Sequence, residues 1–171
     1  MIRATKLFIT TIVLALFACN NLNAQEVKDG LTWYTDINKA YEVSNKSDKP
    51  VFAFFTGSDW CGWCHRLQRN VFAKQTFKDW AKKNVILVEL DFPRNKQLPQ
   101  AIQEQNSGLQ QFFGVQGYPT VWIFTMLKDK TTGKYNIAAL GQLGYPQSEP
   151  GKEDGTFLAN ADQILKNKIK Q

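Results

Sequence analysis

Two cysteines, Cys61 and Cys64, are the side chains of this sequence best suited to covalent chemistry. They stand two residues apart, after the apolar run Val51–Phe55, which predicts a buried strand, and before a helical pattern. A strand that ends in a short turn and opens a helix places Cys61 beside unpaired backbone N–H groups. Those groups and the helix dipole favour a thiolate. Cys64 lies one helical turn away, where it can close a disulfide on Cys61. The spacing therefore predicts a redox-active pair.

A structural cross-link is the alternative interpretation of the same two cysteines if the chain is exported. The loop that such a disulfide closes is very short, so the bond removes little entropy from the unfolded chain. The short spacing therefore favours catalytic use of the pair.

Covalent haem attachment is a second alternative, because residues 61–65 also read C-x-x-C-H. His65 is the only histidine of the sequence, so the distal ligand would have to be Met126. That methionine lies in an apolar run, where core packing is the better explanation. A zinc site lacks a fourth ligand, since the chain has no second pair of cysteines or histidines. We therefore expect no metal and no cofactor.

The amino terminus has the pattern of an export signal. Two basic residues precede the uncharged apolar run Leu7–Ala18, and a short polar stretch follows it. This pattern predicts a signal peptide over residues 1–24, cleaved after Ala24, and a periplasmic or secreted protein. The alternative is a lipid anchor, because Leu16–Cys19 resembles a bacterial lipobox that would make Cys19 the acylated first residue. The apolar run is too short to span a bilayer comfortably.

The charge of the chain does not indicate a nucleic-acid partner. The formal net charge is +6, but the basic residues are scattered rather than gathered in a stripe with aromatic side chains. This distribution is typical of solvated helix faces, and we expect no nucleic-acid binding. The length left after the leader suits one domain, residues 25–171, which we expect to be a monomer.

Hydrophobic patterning predicts strands and helices in alternation. Residues 25–30 are polar and predict a loose segment, and Leu31–Tyr34 is a candidate short strand. A helix between the strands at 51–55 and 85–90 predicts a parallel βαβ unit with a right-handed crossover. The later predicted elements are a helix at Pro99–Phe113, strands at Val121–Met126 and Tyr135–Leu140, and a closing helix at Thr156–Lys170.

Polar residues next to two of the predicted helices are candidate amino-terminal caps. Asp36 precedes the first helix, which we expect to run to about Ser47, and Ser58 or Asp59 precedes the helix that the cysteines begin. The side-chain oxygen of such a residue can accept a hydrogen bond from a free N–H of the first turn.

Two motifs and the order of elements together resemble the thioredoxin superfamily. The first motif is Trp60-Cys61-Gly62-Trp63-Cys64 after an apolar strand, and the second is Gly117-Tyr118-Pro119-Thr120 before a later strand. The chain is most similar to exported single-domain thioredoxin-like proteins of bacteria and to the carboxy-terminal domain of periplasmic disulfide-reductase conductors. The resemblance implies an α/β fold of three layers, α/β/α, around a mixed sheet of four or five strands.

The resemblance also implies a role for each residue of the site. Cys61 would be the attacking thiol and Cys64 the resolving one. Pro119 would follow a cis peptide bond and face the cysteines, which is consistent with the low cost of cis proline. The residues implied in substrate binding are Trp60, Trp63, Tyr118 and Pro119.

Two positions depart from the pattern of thioredoxins. The strand before the cysteines usually carries a buried acidic residue, and the matching position here is Phe55. Glu89 on the neighbouring strand could replace it as a proton relay, or it could be an exposed charge at a strand end. Gly62-Trp63 stands where thioredoxin has Gly-Pro, and this dipeptide affects the redox potential.

The function implied is a thiol–disulfide oxidoreductase that acts on exported proteins through Cys61 and Cys64. We expect a reductase or an isomerase rather than an oxidase, supplied with electrons by a membrane or periplasmic donor. Its substrates would be protein disulfides. A non-catalytic binding module with a thioredoxin fold is the remaining alternative.

Overall fold

The computed structural model describes residues 25–170. The signal peptide predicted over residues 1–24 and the lipid attachment at Cys19 lie outside this range, and both stay predictions. Within residues 25–170 no helix has the length and apolar character needed to cross a bilayer.

Six strands form one mixed sheet, in the order β1-β2-β4-β3-β5-β6. The parallel pairs are β2 with β4 and β3 with β4, and the other three neighbouring pairs are antiparallel. The predicted parallel βαβ unit is confirmed. The sheet has six strands, whereas the expected number was four or five. The strands are β1 Gln25–Lys28, β2 Leu31–Tyr34, β3 Val51–Thr56, β4 Ile86–Asp91, β5 Thr120–Lys128 and β6 Tyr135–Leu143.

The additional strand is β1, in the polar segment that we expected to be loose. It pairs antiparallel with β2, and Lys28 lies opposite Leu31. The two residues between them, Asp29 and Gly30, have φ angles of 53° and 77°. Positive φ at both central positions is the geometry of a tight hairpin turn whose twist matches the strands, and Asp-Gly is a favoured sequence for it. The turn, rather than a hydrophobic pattern, therefore produces β1.

Helices cover both faces of the sheet and give the expected three layers. The helix at Gly62–Leu67 continues as a π-helical turn at Gln68–Phe72, and a new helix begins at Gln75. The break predicted near Lys74 is therefore confirmed. A 3-10 turn at Lys166–Lys170 follows the last helix. The α-helices are α1 Ile37–Ser47, α2 Gly62–Leu67, α3 Gln75–Asn84, α4 Gln100–Phe112 and α5 Glu153–Leu165.

Local sequence sets the ends of α1. The side chain of Asp36 accepts a hydrogen bond of 2.7 Å from the backbone N–H of Asn38, which confirms the predicted cap. Asp48 ends the helix in the left-handed conformation, and its backbone N–H donates to the carbonyl of Ser44.

Side chains alternate across β3 and divide the interior into two cores. The cysteine-side core contains both cysteines and packs α2, α3 and α5 on the sheet through the aromatic rings of Phe52, Phe54, Phe72, Phe77 and Phe157. The far-side core packs α1 and α4 on the other face through Ile37, Ala40, Val51, Phe55, Leu109 and Phe113. These two cores hold the end of β3, and with it the turn that carries the cysteines.

Candidate active site

Cys61 and Cys64 form a disulfide, with 5.2 Å between their Cα atoms. Cys61 caps α2 itself, since its sulfur accepts a hydrogen bond of 3.1 Å from the backbone N–H of Cys64. Cys64 is completely buried, whereas Cys61 keeps 6% of its surface exposed. The pair is therefore asymmetric, because only Cys61 presents surface to solvent and receives the N–H group.

The turn before the cysteines is held by its own backbone and by the carboxylate of Asp91. The carbonyl of Gly57 accepts hydrogen bonds from the N–H groups of Trp60 (3.2 Å) and Cys61 (2.8 Å). Ser58 donates its N–H and its hydroxyl to the two carboxylate oxygens of Asp91, at 2.8 and 2.6 Å. These contacts fix the position of Cys61 relative to the ends of β3 and β4.

Ser58 and Asp59 do not cap α2, so that expectation is wrong. Ser58 binds Asp91, and Asp59 accepts hydrogen bonds from the backbone N–H groups of Arg94 and Asn95. Those hydrogen bonds lower the pKa of Asp59, and the one from Arg94 has the largest effect. They outweigh partial desolvation, which would raise the pKa. The carboxylate therefore anchors the segment after β4 to the active-site turn.

Trp60 forms one wall beside the disulfide. Its Nε1–H donates a hydrogen bond of 2.8 Å to the carbonyl of Phe92, and its ring meets the Tyr118 ring edge to face at 5.8 Å. The guanidinium carbon of Arg94 lies 3.8 Å from the Trp60 ring centroid. Contacts on several sides thus fix the orientation of the indole.

Gly57 is required by the position of Trp60, and we expect Gly57→Ala to impair the site. A Cβ atom at residue 57 would lie 2.3 Å from Cε2 of the Trp60 ring, so the rigid indole would have to move. We expect a loss of about 1–2 kcal/mol in the free energy of unfolding, the usual cost of overpacking. Activity should fall about tenfold through displacement of Trp60. Urea unfolding and peptide-disulfide turnover measure the two effects.

Gly108→Ala is the matched control for that substitution. Gly108 lies in α4, nothing is within 4 Å of its added Cβ, and alanine is the better helix former. Unchanged turnover in both variants would contradict the requirement for glycine at residue 57.

Trp63, which lies between the two cysteines in the chain, is 54% exposed. Its ring meets the Tyr145 ring edge to face at 5.1 Å, and the guanidinium carbon of Arg66 lies 4.7 Å from its ring centroid. The hydroxyl of Tyr145 accepts a hydrogen bond of 2.9 Å from Asn70. An exposed aromatic ring supported in this way is suited to contact with a partner.

The segment before β5 joins the Trp60 wall. The peptide bond between Tyr118 and Pro119 is cis. The Tyr118 ring stacks on Phe92 at 5.2 Å, and its hydroxyl accepts a hydrogen bond of 2.8 Å from Gln110. Burial, with a smaller effect of the Asp91 charge, raises the pKa of Tyr118 to about 12. The tyrosine is therefore neutral at physiological pH.

Glu89 is buried, so the expectation of an exposed strand-end charge is wrong. Its two oxygens accept hydrogen bonds of 2.9 Å from the ammonium group of Lys28 on β1. Glu89 also lines a cavity of about 280 Å³ that reaches Ser58 and His65 beside the cysteines. Phe55 belongs to the far-side core and lies across the sheet from the cysteines. Asp91 is also buried near the active-site turn, but its carboxylate is bound by Ser58 and Lys96, whereas Glu89 lines the cavity beside His65 and Gln68.

The geometry does not favour the haem and zinc alternatives. The Nε2–H of His65 donates a hydrogen bond of 2.8 Å to the carbonyl of Ser58. Met126 is buried in the far-side core, across the sheet from the cysteines, and cannot lie opposite His65. Within residues 25–170 no group of three or more His, Cys, Asp and Glu side chains is placed to hold a metal ion.

Some contacts of the site were not foreseen from the sequence. They are the ion pair between Lys28 and Glu89, the two tryptophan–arginine stacks, and the anchoring of Ser58 by Asp91. The stack of Arg66 on Trp63 lies within α2, at the i,i+3 spacing that brings helix side chains together. The other contacts join residues from separate elements, and a local sequence pattern carries no signal for such pairs.

Comparisons with known proteins agree with this fold. A family model described as thioredoxin-like matches residues 32–125. The chain is 37% identical over 107 residues to the disulfide bond reductase DsbH of Chlamydia pneumoniae, a match that covers 63% of this chain and 64% of that protein. It is 24% identical over 163 residues to the thioredoxin-related protein DsbJ of the same organism, covering 92% of this chain and 44% of that protein. The chain thus spans less than two thirds of the length of either relative.

A solved structure gives the same result at the level of the fold. The structure titled DsbH oxidoreductase superposes with a TM-score of 0.65 at 30% identity, over 80% of this chain and 85% of that one. The family match covers more than half of the chain and includes the cysteine turn, β3, β4 and most of β5. With a cysteine pair at the start of a helix and a mixed sheet between two helical layers, the chain belongs to the thioredoxin-like family.

Proposed function

We propose that this protein is a thiol–disulfide oxidoreductase that reduces disulfides in exported proteins. One observation carries the proposal: Cys61, at the first turn of α2, is bonded to a fully buried Cys64 and accepts its N–H group. An accessible sulfur beside a backbone donor, with a second sulfur in bonding distance, is the minimum required for thiol–disulfide exchange.

The reaction begins from the reduced pair. The Cys61 thiolate attacks one sulfur of the substrate disulfide, a mixed disulfide forms, and the other substrate sulfur leaves as a thiolate that takes up a proton. Cys64 then loses its proton and attacks the Cys61 sulfur, which restores the Cys61–Cys64 disulfide and releases the second substrate thiol. The substrate gains two electrons and two protons. The enzyme loses two electrons and the Cys64 proton, and the second proton comes from the solvent, which took it up when Cys61 ionised.

Proton transfer from the buried Cys64 thiol needs an acceptor, and we assign that role to Glu89. It is buried, it is ion-paired with Lys28, and it lines the cavity that reaches His65, next to Cys64 in the chain. The position that thioredoxins use for this purpose is the apolar Phe55. Glu89 supplies the missing carboxylate from the neighbouring strand.

A protein segment is the substrate that the surroundings of the disulfide suit. The substrate-binding residues in this proposal are Trp60, Trp63, Tyr118 and Pro119, which give aromatic walls beside the cysteines and a proline at the entry of β5. Because proline has no N–H group, the backbone just before β5 is left to pair with an extended peptide.

Reduction, rather than oxidation, is supported by the name of one relative, a disulfide bond reductase. A reductase that works outside the cytoplasm needs an electron donor, and we propose a membrane or periplasmic protein for that role. Export rests on the signal peptide predicted over residues 1–24.

A trapping experiment tests the proposed mechanism. In a Cys64→Ser variant the second step is blocked, so the mixed disulfide between Cys61 and the substrate should accumulate. Non-reducing gels and mass spectrometry of the reduced variant, mixed with a peptide disulfide, would detect it. If no adduct forms while Cys61 stays alkylatable, the exchange mechanism is wrong.

A further inference from the structure

Both tryptophans beside the disulfide carry an arginine on the ring. Arg94, from the segment after β4, lies over Trp60 with 3.8 Å from its guanidinium carbon to the ring centroid. Arg66, from α2, lies over Trp63 at 4.7 Å. The two tryptophans stand on either side of Cys61 and Gly62 in the chain, and the two tryptophan–arginine stacks have different neighbours, Tyr118 for one and Tyr145 for the other.

Neither arginine is neutralised within residues 25–170. The ion pairs of this part of the chain join lysines to carboxylates, and none involves Arg66 or Arg94. The nearby carboxylate of Asp59 accepts the backbone N–H groups of Arg94 and Asn95 instead. Both arginines are exposed. The entrance of the site therefore presents two positive charges in fixed orientations.

We propose that the two stacks select substrate segments that carry carboxylates on both sides of the target cysteine. The inference rests on the proposed function and adds a substrate class to it. Stacking holds a guanidinium plane against the indole face and leaves its N–H edge free to donate two parallel hydrogen bonds to a carboxylate. Because the two tryptophans precede and follow Cys61 within four consecutive residues, an extended acidic peptide can reach both stacks while its disulfide meets the sulfur.

Peptides that differ only in charge test this selectivity. Three synthetic peptides would carry the same intramolecular disulfide, flanked by glutamates, glutamines or lysines, and each would react with the reduced full-length protein in a single turnover. An exposed ion pair changes a binding constant by a factor of about three to five. We expect the glutamate peptide to react about tenfold faster than the glutamine peptide, and the lysine peptide to react more slowly than both. High salt should reduce the differences.

Variants of Arg66 and Arg94 test whether these two arginines cause the preference for acidic peptides. The double variant Arg66→Glu/Arg94→Glu should reverse the order, so that the lysine peptide reacts fastest, while Arg66→Lys/Arg94→Lys should keep the order of the unmodified protein. Arg69→Gln is the matched control. Arg69 is an exposed arginine of the same helical segment and stacks on no aromatic ring among residues 25–170, so its variant should leave the order unchanged.

Each outcome has one interpretation. Equal rates for the three peptides would overturn the inference and leave the oxidoreductase function standing. A double variant that slows all three peptides by the same factor would also overturn it, because the arginines would then act only by positioning the tryptophans. If no peptide reacted at all, the proposed function would fail, and the inference with it.

Discussion

Replacing Cys61 by serine is expected to lower turnover of a peptide disulfide by about 10⁴-fold or more, as the loss of a catalytic nucleophile does in other enzymes. A hydroxyl group at this position is neither ionised near neutral pH nor able to form a disulfide. Cys64 cannot replace the lost sulfur, because this residue of α2 is completely buried. Turnover with a chemical reductant as electron donor, followed by mass spectrometry of the peptide, measures the effect.

Cys64→Ser is the matched control for this prediction. Both variants lack the Cys61–Cys64 disulfide, so the loss of the cross-link affects the stability of both alike. They should differ in chemistry, because Cys64→Ser keeps the first step and forms one adduct per molecule. If Cys61→Ser and Cys64→Ser reacted equally in a single turnover, the assignment of Cys61 as the attacking sulfur would be wrong.

The ion pair between Lys28 and Glu89 is the second feature whose removal should have a large effect. In Lys28→Met the Glu89 carboxylate would remain buried without its counter-charge, which is strongly destabilising for a fully buried pair. The Lys28 side chain is 34% exposed, so water can partly replace it. We therefore expect a loss of about 2 kcal/mol in the free energy of unfolding, below the range for a dry pair. Urea unfolding at neutral pH measures it.

A double variant separates the charge effect from packing. In Lys28→Met/Glu89→Gln no buried charge is left unpaired, and Glu26, the other partner of Lys28, has an exposed side chain that water can solvate, so most of the lost stability should return. If Lys28→Met and the double variant were equally unstable, the loss would come from packing of the lysine stem.

The ion pair between Lys28 and Glu89 also predicts that the stability of the protein depends on pH in alkaline solution. Burial alone lowers the pKa of Lys28, but attraction to Glu89 and the hydrogen bonds to Glu89 and Glu26 outweigh it and raise the pKa above its ordinary value of 10.5. A raised pKa means that the stabilising effect is complete below the ordinary value and is lost as the pH rises through the folded-state pKa. The difference in free energy of unfolding between the unmodified protein and the double variant should therefore decrease only in strongly alkaline solution.

Features with a local or periodic signal were predicted from the sequence. The apolar run before the cysteines predicted β3, and the alternation of strand and helix predicted the parallel βαβ unit. Asp36 was recognised as a cap because an N-cap contact spans only two residues. The Asp29-Gly30 turn was equally local and would have revealed β1, but the polar residues around it carry no hydrophobic alternation.

Contacts between distant segments could not be predicted in this way. Ser58 has the side chain of a helix cap, yet Asp91, 33 residues later, binds both its N–H and its hydroxyl group. Glu89 lies near the end of an apolar strand and could equally have been exposed, and its ion-pair partner in the structure is Lys28, 61 residues earlier. In both cases the partner follows from strand order in the sheet, which the sequence pattern leaves open.

The contacts of Asp91 limit which changes in sequence this domain can accept without displacing its cysteine pair. One of its carboxylate oxygens accepts the Ser58 hydroxyl and also lies 2.9 Å from the Lys96 ammonium group, and its carbonyl accepts a hydrogen bond from Asn106. A single residue thus ties the cysteine turn to the segment that carries Arg94. Grafting that segment from a relative with another length would displace the reactive sulfur as well. The placement of Arg94 and the placement of the cysteine turn are therefore mechanically linked through Asp91.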